Sequence, residues 1–406
     1  MQLYISTSTA PKLQTQWRNP KETDMNTRSQ NKMLVLGAGK VGSTVADMLA
    51  EYYQLEVTLA DRLMPTESKP DPLIHRAVLD IDDEAALAAA VQQHGIVINA
   101  LPFYCATQDA TAAARGGRHY FDLTEDVAAT QAIRAIAADA RTALMPQSGL
   151  APGVIGMLGG HMAGRFDELY DLRLRVGALT RHATNSLRYN FTWSIDGVIN
   201  EYCNPCEAIV HKLAATLQPL EGYETFTLDA EEFEAFNTSG GLGTLAETLA
   251  GKVRNLDYKT IRYPGHRDAM RFLLNDLRLI ENRDLLRQVL EQAIPHSRED
   301  IVIVFASASG RRGGRFEQET RVARIFGKTL RGTERTAIEL TTAAGVVGVV
   351  QLLRDGKLPQ RGFVGQEHVP LNDFLQTRVG HYYAGLADSE ELKARLSVPG
   401  DWSKAA

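Results

Sequence analysis

Apolar residues in this chain follow two rhythms, and the change between them divides it. From Met33 to about Gln147, short continuous apolar runs alternate with stretches that are apolar at every third or fourth position. The runs at 33–36, 55–60, 76–79, 96–101, 119–123 and 142–145 predict strands, and 40–53, 83–94, 106–115 and 127–140 predict the helices between them. Unbroken apolar runs suit strands covered on both faces, so this half predicts a six-stranded parallel sheet flanked by helices.

After Pro152-Gly153 the pattern changes. Segments 172–178, 187–193, 301–306 and 320–325 read as strands of a mixed, largely antiparallel sheet, interrupted by helical segments at 242–249, 267–280 and 284–294. Ser309-Gly-Arg-Arg-Gly-Gly314 is a turn signal between two strand runs and predicts a hairpin; its arginines suit either a phosphate ligand or a solvated tip. A long helix is predicted over 333–353, closed by Asp355-Gly356-Lys357, with Ala, Gly and Val positions that suit close packing against the first domain. The fold class is therefore α/β with an added α+β domain. Its expected parts are a tail at 1–32, a first domain at 33–150 completed by 333–356, a second domain at 151–332, and a segment at 357–406 packing on the first.

The first helix adds chemistry to this frame. Gly37-Ala38-Gly39-Lys40-Val41-Gly42 follows the first apolar run directly and opens the helix, and Asp61 ends the second run. This strand–GxGxxG–helix–strand–acid unit is the fingerprint of a Rossmann dinucleotide-binding domain. Its glycines give a tight turn and close approach of the pyrophosphate, and the acid takes the ribose. Asp61 favours NAD, because a carboxylate repels a 2′-phosphate; Arg62 beside it keeps NADP open, since an arginine pairs with that phosphate.

Composition removes other classes. With 406 residues there is room for two cores, and a net charge of −5 gives no sign of a nucleic-acid or membrane partner. Three cysteines do not make a disulfide framework and fit a reducing, cytoplasmic setting. Residues 1–32 are polar without a signal-peptide core, Glu22 and Asp24 interrupt any transit-peptide character, and Met25 and Met33 are alternative starts. The longest apolar stretch, 343–353, is too short to span a bilayer.

Ligands of doubly wound sheets lie outside the carboxyl ends of the strands. Besides the glycine loop, that rule selects Asn99-Ala100-Leu101-Pro102-Phe103-Tyr104, Tyr120-Phe121-Asp122-Leu123-Thr124-Glu125 and Gln147-Ser148-Gly149-Leu150-Ala151-Pro152-Gly153. Asp80-Ile81 is placed to line the adenine. Asp122 fits a general base, a ligand for a substrate amine, or a cap for the next helix. Ser148 suits a hydrogen-bonding role; a nucleophile would need a neighbouring histidine, and no GxSxG is present. Cys203-Asn-Pro-Cys206 lacks the second pair of a zinc site and reads as structural, so no metal is expected. In Tyr258-Lys-Thr-Ile-Arg-Tyr-Pro-Gly-His266, a strand breaking into a helix, Arg262 suits a carboxylate and His266 suits proton transfer, with a surface strand and a capping histidine as the alternative.

Together these segments resemble the saccharopine dehydrogenase family, and within it the lysine 6-dehydrogenase-like branch. The similar stretches are 36–42, 97–104, 120–126, 149–154, FTWSIDGVINEY at 191–202, AFNTSGGLGTL at 235–245, YKTIRYPGH at 258–266, and 336–346 with 352–363. The resemblance implies that 151–332 binds substrate and forms a homodimer. It also implies a shared chemistry, in which an amine-bearing carbon gives hydride to the nicotinamide and the imine is hydrolysed.

Two departures from the family refine the substrate. Saccharopine reductases look as though they place arginines in W-S-S-R-G-V and N-R-D-S to clamp carboxylates. This chain has Asp196 and Gly240-Gly241 in those regions. An anion in place of a cation costs about 3–5 kcal/mol of binding for a buried carboxylate, and favours a substrate with a free ammonium such as lysine. Many relatives carry cysteine at Ser148, which therefore offers no thiolate.

The expected activity is NAD-linked oxidation of the ε-amine of L-lysine. Asp122, with His266 second, would handle the amine proton, and Arg262 would anchor the carboxylate. Tyr104 and Ser148 would orient substrate, and Pro152-Gly153 would border the nicotinamide. The alternatives are a saccharopine dehydrogenase or related reductive-condensation enzyme, and an inactive dinucleotide sensor.

Overall fold

The structure is a computed structural model and describes residues 31–64 and 70–397. The tail expected at 1–32 lies outside them except for its last two residues, as does the end of the chain from 398. The first sheet comprises β1 (Lys32–Leu36), β2 (Glu56–Asp61), β3 (Ile74–Val78), β4 (Ile96–Asn99), β5 (His119–Asp122) and β6 (Ala143–Met145). A two-residue strand from the far end of the chain, Gly362–Phe363, joins them. Every neighbour is parallel, in the order β3-β2-β1-β4-β5-β6 and then the late strand. The chain direction of progress reverses between β1 and β4, which opens the crevice where such sheets take ligands.

Continuous apolar runs give β1 two buried faces. Met33 and Val35 pack with α1 (Lys40–Tyr53), while Leu34 and Leu36 pack with α2 (Glu84–Gln92), α3 (Ala106–Arg115) and α4 (Val127–Ala137). Asp83 and Asp126 cap α2 and α4, accepting hydrogen bonds from the first-turn amides.

α5 (Val154–Ala163) leads into the second sheet, built from β7 (Glu168–Thr180), β8 (Cys206–Val210), β9 (Leu213–Leu217), β10 (Glu224–Leu228), β11 (Glu231–Asn237), β12 (Val253–Arg262), β13 (Asp300–Arg312) and β14 (Arg315–Phe326). Its order is β10-β11-β12-β7-β13-β14, with β8 and β9 attached to β12; only β12 and β7 are parallel. Helices α6 (Ile195–Cys203), α7 (Leu245–Leu249), α8 (His266–Arg271) and α9 (Arg283–Ala293) lie beside it. β8 to β11 are strands that the sequence pattern did not reveal: β9 and β10 lie at exposed ends of the sheet, and Glu207, Glu231, Glu232 and Glu234 interrupt the apolar residues of β8 and β11.

Segment 187–193 is not a strand. Tyr189 and Phe191 are buried in an aromatic cluster with α6, α8 and α9, Arg188 has a positive φ of 49°, and the only pairing is an isolated bridge between Phe191 and His296. The alternation there comes from two anchored rings. The helix expected at 267–280 stops at Arg271 and passes through a π-turn at Phe272–Asp276, then a left-handed Arg278. The 309–314 turn is a hairpin with positive φ at Gly313 and Gly314, and its Arg312 pairs with Glu317 and Glu319.

Two short strands, β15 (Lys328–Leu330) and β16 (Thr333–Arg335), precede the long helix α10 (Ala337–Arg354). The helix begins four residues later than the apolar pattern predicted, because its end is capped from three sides. Thr336 Oγ1 accepts from the Glu339 amide at 3.2 Å, Glu339 accepts from the Thr336 amide at 3.3 Å, and Asp300 takes the Ala337 and Ile338 amides. By length and composition α10 is apolar enough to cross a membrane, but 78% of it is buried inside the protein. It packs on α1 and on β13, and a Cβ at Gly345 would meet the Gly149 carbonyl oxygen at 2.4 Å. The late strand, now β17, and the helices α11 (Leu371–Leu375) and α12 (Glu390–Ser397) complete the described chain. The Tyr52 and Tyr382 hydroxyls meet at 2.9 Å, tying the C-terminal segment to α1.

Replacing Thr336 by Ala removes half of the α10 cap and is expected to cost about 1 kcal/mol. A lowered urea midpoint with an unchanged slope checks this.

Candidate functional site

The carboxyl ends of β1, β4, β5 and β6 face the second sheet across a cleft of about 480 Å³. One wall carries Gly39, Lys40, Val41, Ala100, Leu101 and Pro102; the other carries Val176 and Ala178 of β7 and Tyr258, Thr260 and Arg262 of β12. Thr192-Trp193-Ser194 and the first turns of α10 close it.

The glycine loop fits a dinucleotide at each position. Gly37 has φ +101°, and a Cβ there would lie 2.8 Å from the Ala100 carbonyl oxygen; a Cβ on Gly42 would lie 1.8 Å from the Gly37 oxygen. Both are packed shut. Gly39 is the opposite case, with nothing within 4 Å of an added Cβ. That open side lies at the start of α1, whose N-terminus has no side-chain cap and so offers its amides to an anion. Asp61 accepts from the Ala38 amide at 2.7 Å and the Leu63 amide at 3.1 Å, which fixes its carboxylate beside the loop. Gly39, Lys40 and Val41 would therefore hold a pyrophosphate, Asp61 a ribose, and Ala100, Leu101, Pro102 and Pro152 would border the reactive ring. Arg62, Asp80 and Ile81 lie at the same sheet edge, outside the cleft lining: Leu79 donates to the Asp61 carbonyl, and the Ile81 carbonyl accepts from Gln108. Gly153, with φ +138°, serves the loop itself, since a Cβ would strike the Gly149 oxygen.

On the substrate side the structure brings together a buried cation and two acids. Arg262 is 2% exposed and lines the cleft. Its Nε donates to the Tyr202 hydroxyl at 2.8 Å, and its Nη1 donates to the Ile261 carbonyl at 2.9 Å. The Tyr202 hydroxyl meets His266 Nε2 at 3.0 Å, and His266 Nδ1 meets the Leu187 carbonyl at 2.8 Å. A carbonyl only accepts, so Nδ1 carries the proton and Nε2 takes the tyrosine hydrogen. The chain of donors therefore runs from Arg262 through Tyr202 and His266 to Leu187. The second guanidinium nitrogen, Nη2, lies 4.0 Å from Glu201 Oε2.

Glu201 also lines the cleft, and its Oε2 is buried without a hydrogen-bond partner. Burial pushes its carboxyl up to about 8, with Arg262 opposing and Glu125 adding to the rise. Glu125, on the same wall, is raised to about 6, again mainly by burial. Asp196 lines the cleft at its more open side and pairs with Arg287 at 3.4 Å.

Several residues expected in the site lie elsewhere. Asp122 is buried behind the cleft: its Oδ1 accepts the Thr124 amide at 3.0 Å and the Gln147 amide at 2.9 Å, so it locks two strand-end loops together. Burial raises its carboxyl to about 6, but it does not face the cleft. Ser148 is fully buried, donates to the Met145 carbonyl and accepts from Gln366, and is likewise a loop-holding residue. His266 does not line the cleft and cannot shuttle protons, because burial and then Arg262 push it down to about 3. It acts on Arg262 through Tyr202. Tyr104 is 71% exposed and turned away, and Phe103 lines the cleft in its place.

Glu125 and Glu201 went unnoticed in the sequence. Glu125 sits three positions past the more conspicuous Asp122. For Glu201 a signal existed: it shares the buried face of α6 with Val198, Ile199 and Tyr202, and a carboxylate on an apolar stripe calls for a partner. Cys203 and Cys206 are free thiols, raised by burial, Cys206 to about 12. Among the described residues no group of three or more His, Cys, Asp or Glu is arranged to hold a metal ion.

Fold and cleft together define a two-domain dinucleotide-binding protein with its ligand site at the domain junction. Residues 33–145 match the family model for the saccharopine dehydrogenase NADP binding domain, and residues 149–379 match that for the saccharopine dehydrogenase C-terminal domain. The chain belongs to the saccharopine dehydrogenase family.

Among curated proteins it is similar to saccharopine dehydrogenase [NADP(+), L-glutamate-forming] of Pyricularia oryzae, at 25% identity over 297 residues, covering 68% of this chain and 64% of that one. The namesake protein of Schizosaccharomyces pombe matches at 27% over 182 residues, covering 41% of this chain and 39% of the relative. The chain thus spans less than two thirds of either relative. Among solved structures, the apo saccharopine dehydrogenase (L-Glu forming) of Saccharomyces cerevisiae has a TM-score of 0.69 at 17% identity, covering 87% of this chain and 98% of that chain. A homospermidine synthase of Legionella pneumophila in complex with NAD has a TM-score of 0.62 at 14% identity, covering 88% and 91% respectively. At these identities the two structures show the shared fold.

Two expectations follow. Gly42→Ala is expected to lose dinucleotide binding together with thermal stability, whereas Gly39→Ala keeps its melting temperature and only binds more weakly; calorimetry and a melting scan separate them. Glu201 supplies the pH test. Its folded value of about 8 lies above the ordinary 4.5, so the fold is unburdened below about pH 4.5 and loses stability as pH rises through 8. Glu201→Gln should raise the melting temperature more at pH 9 than at pH 5.

Proposed function

We propose that this protein is an NAD(P)-dependent oxidoreductase acting on the C–N bond of an amino acid that has one carboxylate and a free amine, with the ε-amine of L-lysine as the leading substrate. The supporting observation is the charge arrangement of the cleft. Arg262 is its one guanidinium, and Glu125, Asp196 and Glu201 share its walls. The 4.0 Å between Arg262 and Glu201 suits the adjacent carboxylate and ammonium of an α-amino acid. A substrate with several carboxylates would find one buried partner and three acids.

When bound, the dinucleotide supplies the acceptor for hydride from the amine-bearing carbon. Arg262, pre-oriented by Tyr202 and His266, anchors the carboxylate. An amine with a pKa near about 10.4 must first lose a proton. Glu125, raised to about 6, is better matched to receive it near neutral pH than an ordinary carboxylate. Trp193 and Tyr258 cover the cleft and limit water. For the cofactor, Asp61 beside the loop supports NAD, while the match to an NADP binding domain family and exposed Arg62 support NADP.

The second reading is a saccharopine dehydrogenase, favoured by the names of the curated relatives. Purified protein assayed with L-lysine or saccharopine, and with NAD or NADP, decides between them. Lysine is expected to yield reduced dinucleotide and stoichiometric ammonia. Turnover of saccharopine alone, with glutamate formed and no ammonia, overturns the lysine assignment. Dinucleotide binding without turnover on either overturns the enzymatic reading. Arg262→Leu is expected to raise KM on the order of 100-fold, the scale of losing a buried charged anchor, with dinucleotide affinity unchanged.

A further inference from the structure

Two neighbouring strands build the substrate-side wall of the cleft, and their side chains differ in height along it. Tyr258, Thr260 and Arg262 alternate onto one face of β12 and all line the cleft. Val176 stands beside Thr260 in the parallel register, with Ala178 two residues further along β7 on the same face. The small residues at 176, 178 and 260 leave a trough between two tall ones. Arg262 stands at one end, with Glu201 4.0 Å from its Nη2. Tyr258 closes the other: Leu174, its register partner on β7, is fully buried against Gly159 of α5 and does not line the cleft. Four residues of strand separate the two ends, about 13 Å between Cα atoms at the usual rise of a parallel strand.

Both ends are fixed from behind. Arg262 is held by the Tyr202 hydroxyl and the Ile261 carbonyl. The Tyr258 ring rests on Gly241, where a Cβ would overlap it, 2.5 Å from Cδ1. Gly241 has no left-handed φ, so the ring and not the backbone requires glycine there. Between the ends, the Thr260 hydroxyl meets that of Thr238 at 2.7 Å.

We propose that the trough measures the substrate. An α-amino acid lays its carboxylate on Arg262 and an unbranched side chain over Thr260, Val176 and Ala178, and Tyr258, seated on Gly241, sets the longest chain admitted. The proposal rests on the amino-acid reading of the cleft. It makes Tyr258 a specificity residue by contact and Gly241 one by position.

The probes are straight-chain L-amino acids without an ω-amine: 2-aminobutyrate, norvaline, norleucine, 2-aminoheptanoate and 2-aminooctanoate. Calorimetric titration of the full chain saturated with dinucleotide is expected to show affinity rising about fourfold per methylene, the scale of burying one CH₂. It then falls at least about tenfold once the side chain reaches Tyr258. Tyr258→Val, which keeps a strand-forming residue in β12, is expected to move the maximum to a longer member. Gly241→Ala is expected to move it to a shorter one, and adding Tyr258→Val to Gly241→Ala to move it back, a reversal that a merely structural glycine does not produce. Tyr258→Val alone decides if Gly241→Ala does not fold; a cooperative melt and unchanged dinucleotide affinity identify folded variants. A series without a maximum overturns the proposal, as does a maximum that Tyr258→Val leaves in place or the absence of binding by any member. A maximum that moves as described, with no turnover of lysine or saccharopine, overturns the proposed reaction and leaves the length determinants standing.

Discussion

The functional half of this molecule depends on keeping one guanidinium buried and charged. Arg262 sits at the end of β12, with aromatic rings beside it and a single carboxylate at the limit of ion-pair distance. Tyr202 fixes its orientation, and Tyr202 is in turn fixed by a histidine that stays neutral. The result is a cation whose Nη1 is held on the Ile261 carbonyl and whose Nη2 stands 4.0 Å from Glu201. Its nearest acid is left unsatisfied through burial. The two groups lie 4.0 Å apart on the wall of the cleft.

Around it, side chains that look chemical are mostly structural. Asp122 and Ser148 carry strand-end loops by accepting or donating to backbone groups, and these loops form the floor on which Leu123, Glu125 and Pro152 stand. Asp61 holds the glycine loop in the same way, accepting from the Ala38 amide. Rigidity of this kind is what a hydride-transfer site needs, because small misplacements of reacting atoms are costly.

The parallel strands of the first sheet and the glycine loop were legible in the sequence, because buried parallel strands and their turns leave continuous apolar runs and glycines at set spacing. Arg262 was legible too, as a cation alternating into a strand. Much of the second sheet was not. Strands β8 to β11 are short, with β9 and β10 at exposed ends of the sheet and charges interrupting β8 and β11, and the rings of Tyr189 and Phe191 imitate a strand while anchoring a loop. In the site, the strand-end rule located the right loops but not the right side chains. Which of Asp122 and Glu125 faces the cleft depends on how the chain turns after β5, and His266 is separated from Arg262 by a tyrosine from another helix. Such facts belong to tertiary packing.

β17 has a consequence for how the chain is made. It pairs with β6 through Gly362 and Ala143, so the N-terminal sheet is finished by residues synthesised about 220 positions later. At 5–20 residues per second, that leaves the outer edge of β6 open on the ribosome for on the order of 10–40 s. Helix α10, which covers α1, arrives equally late. Until then the dinucleotide domain is a sheet with a bare edge and an uncovered apolar face, a state that invites chaperones and disfavours independent folding of the first 150 residues.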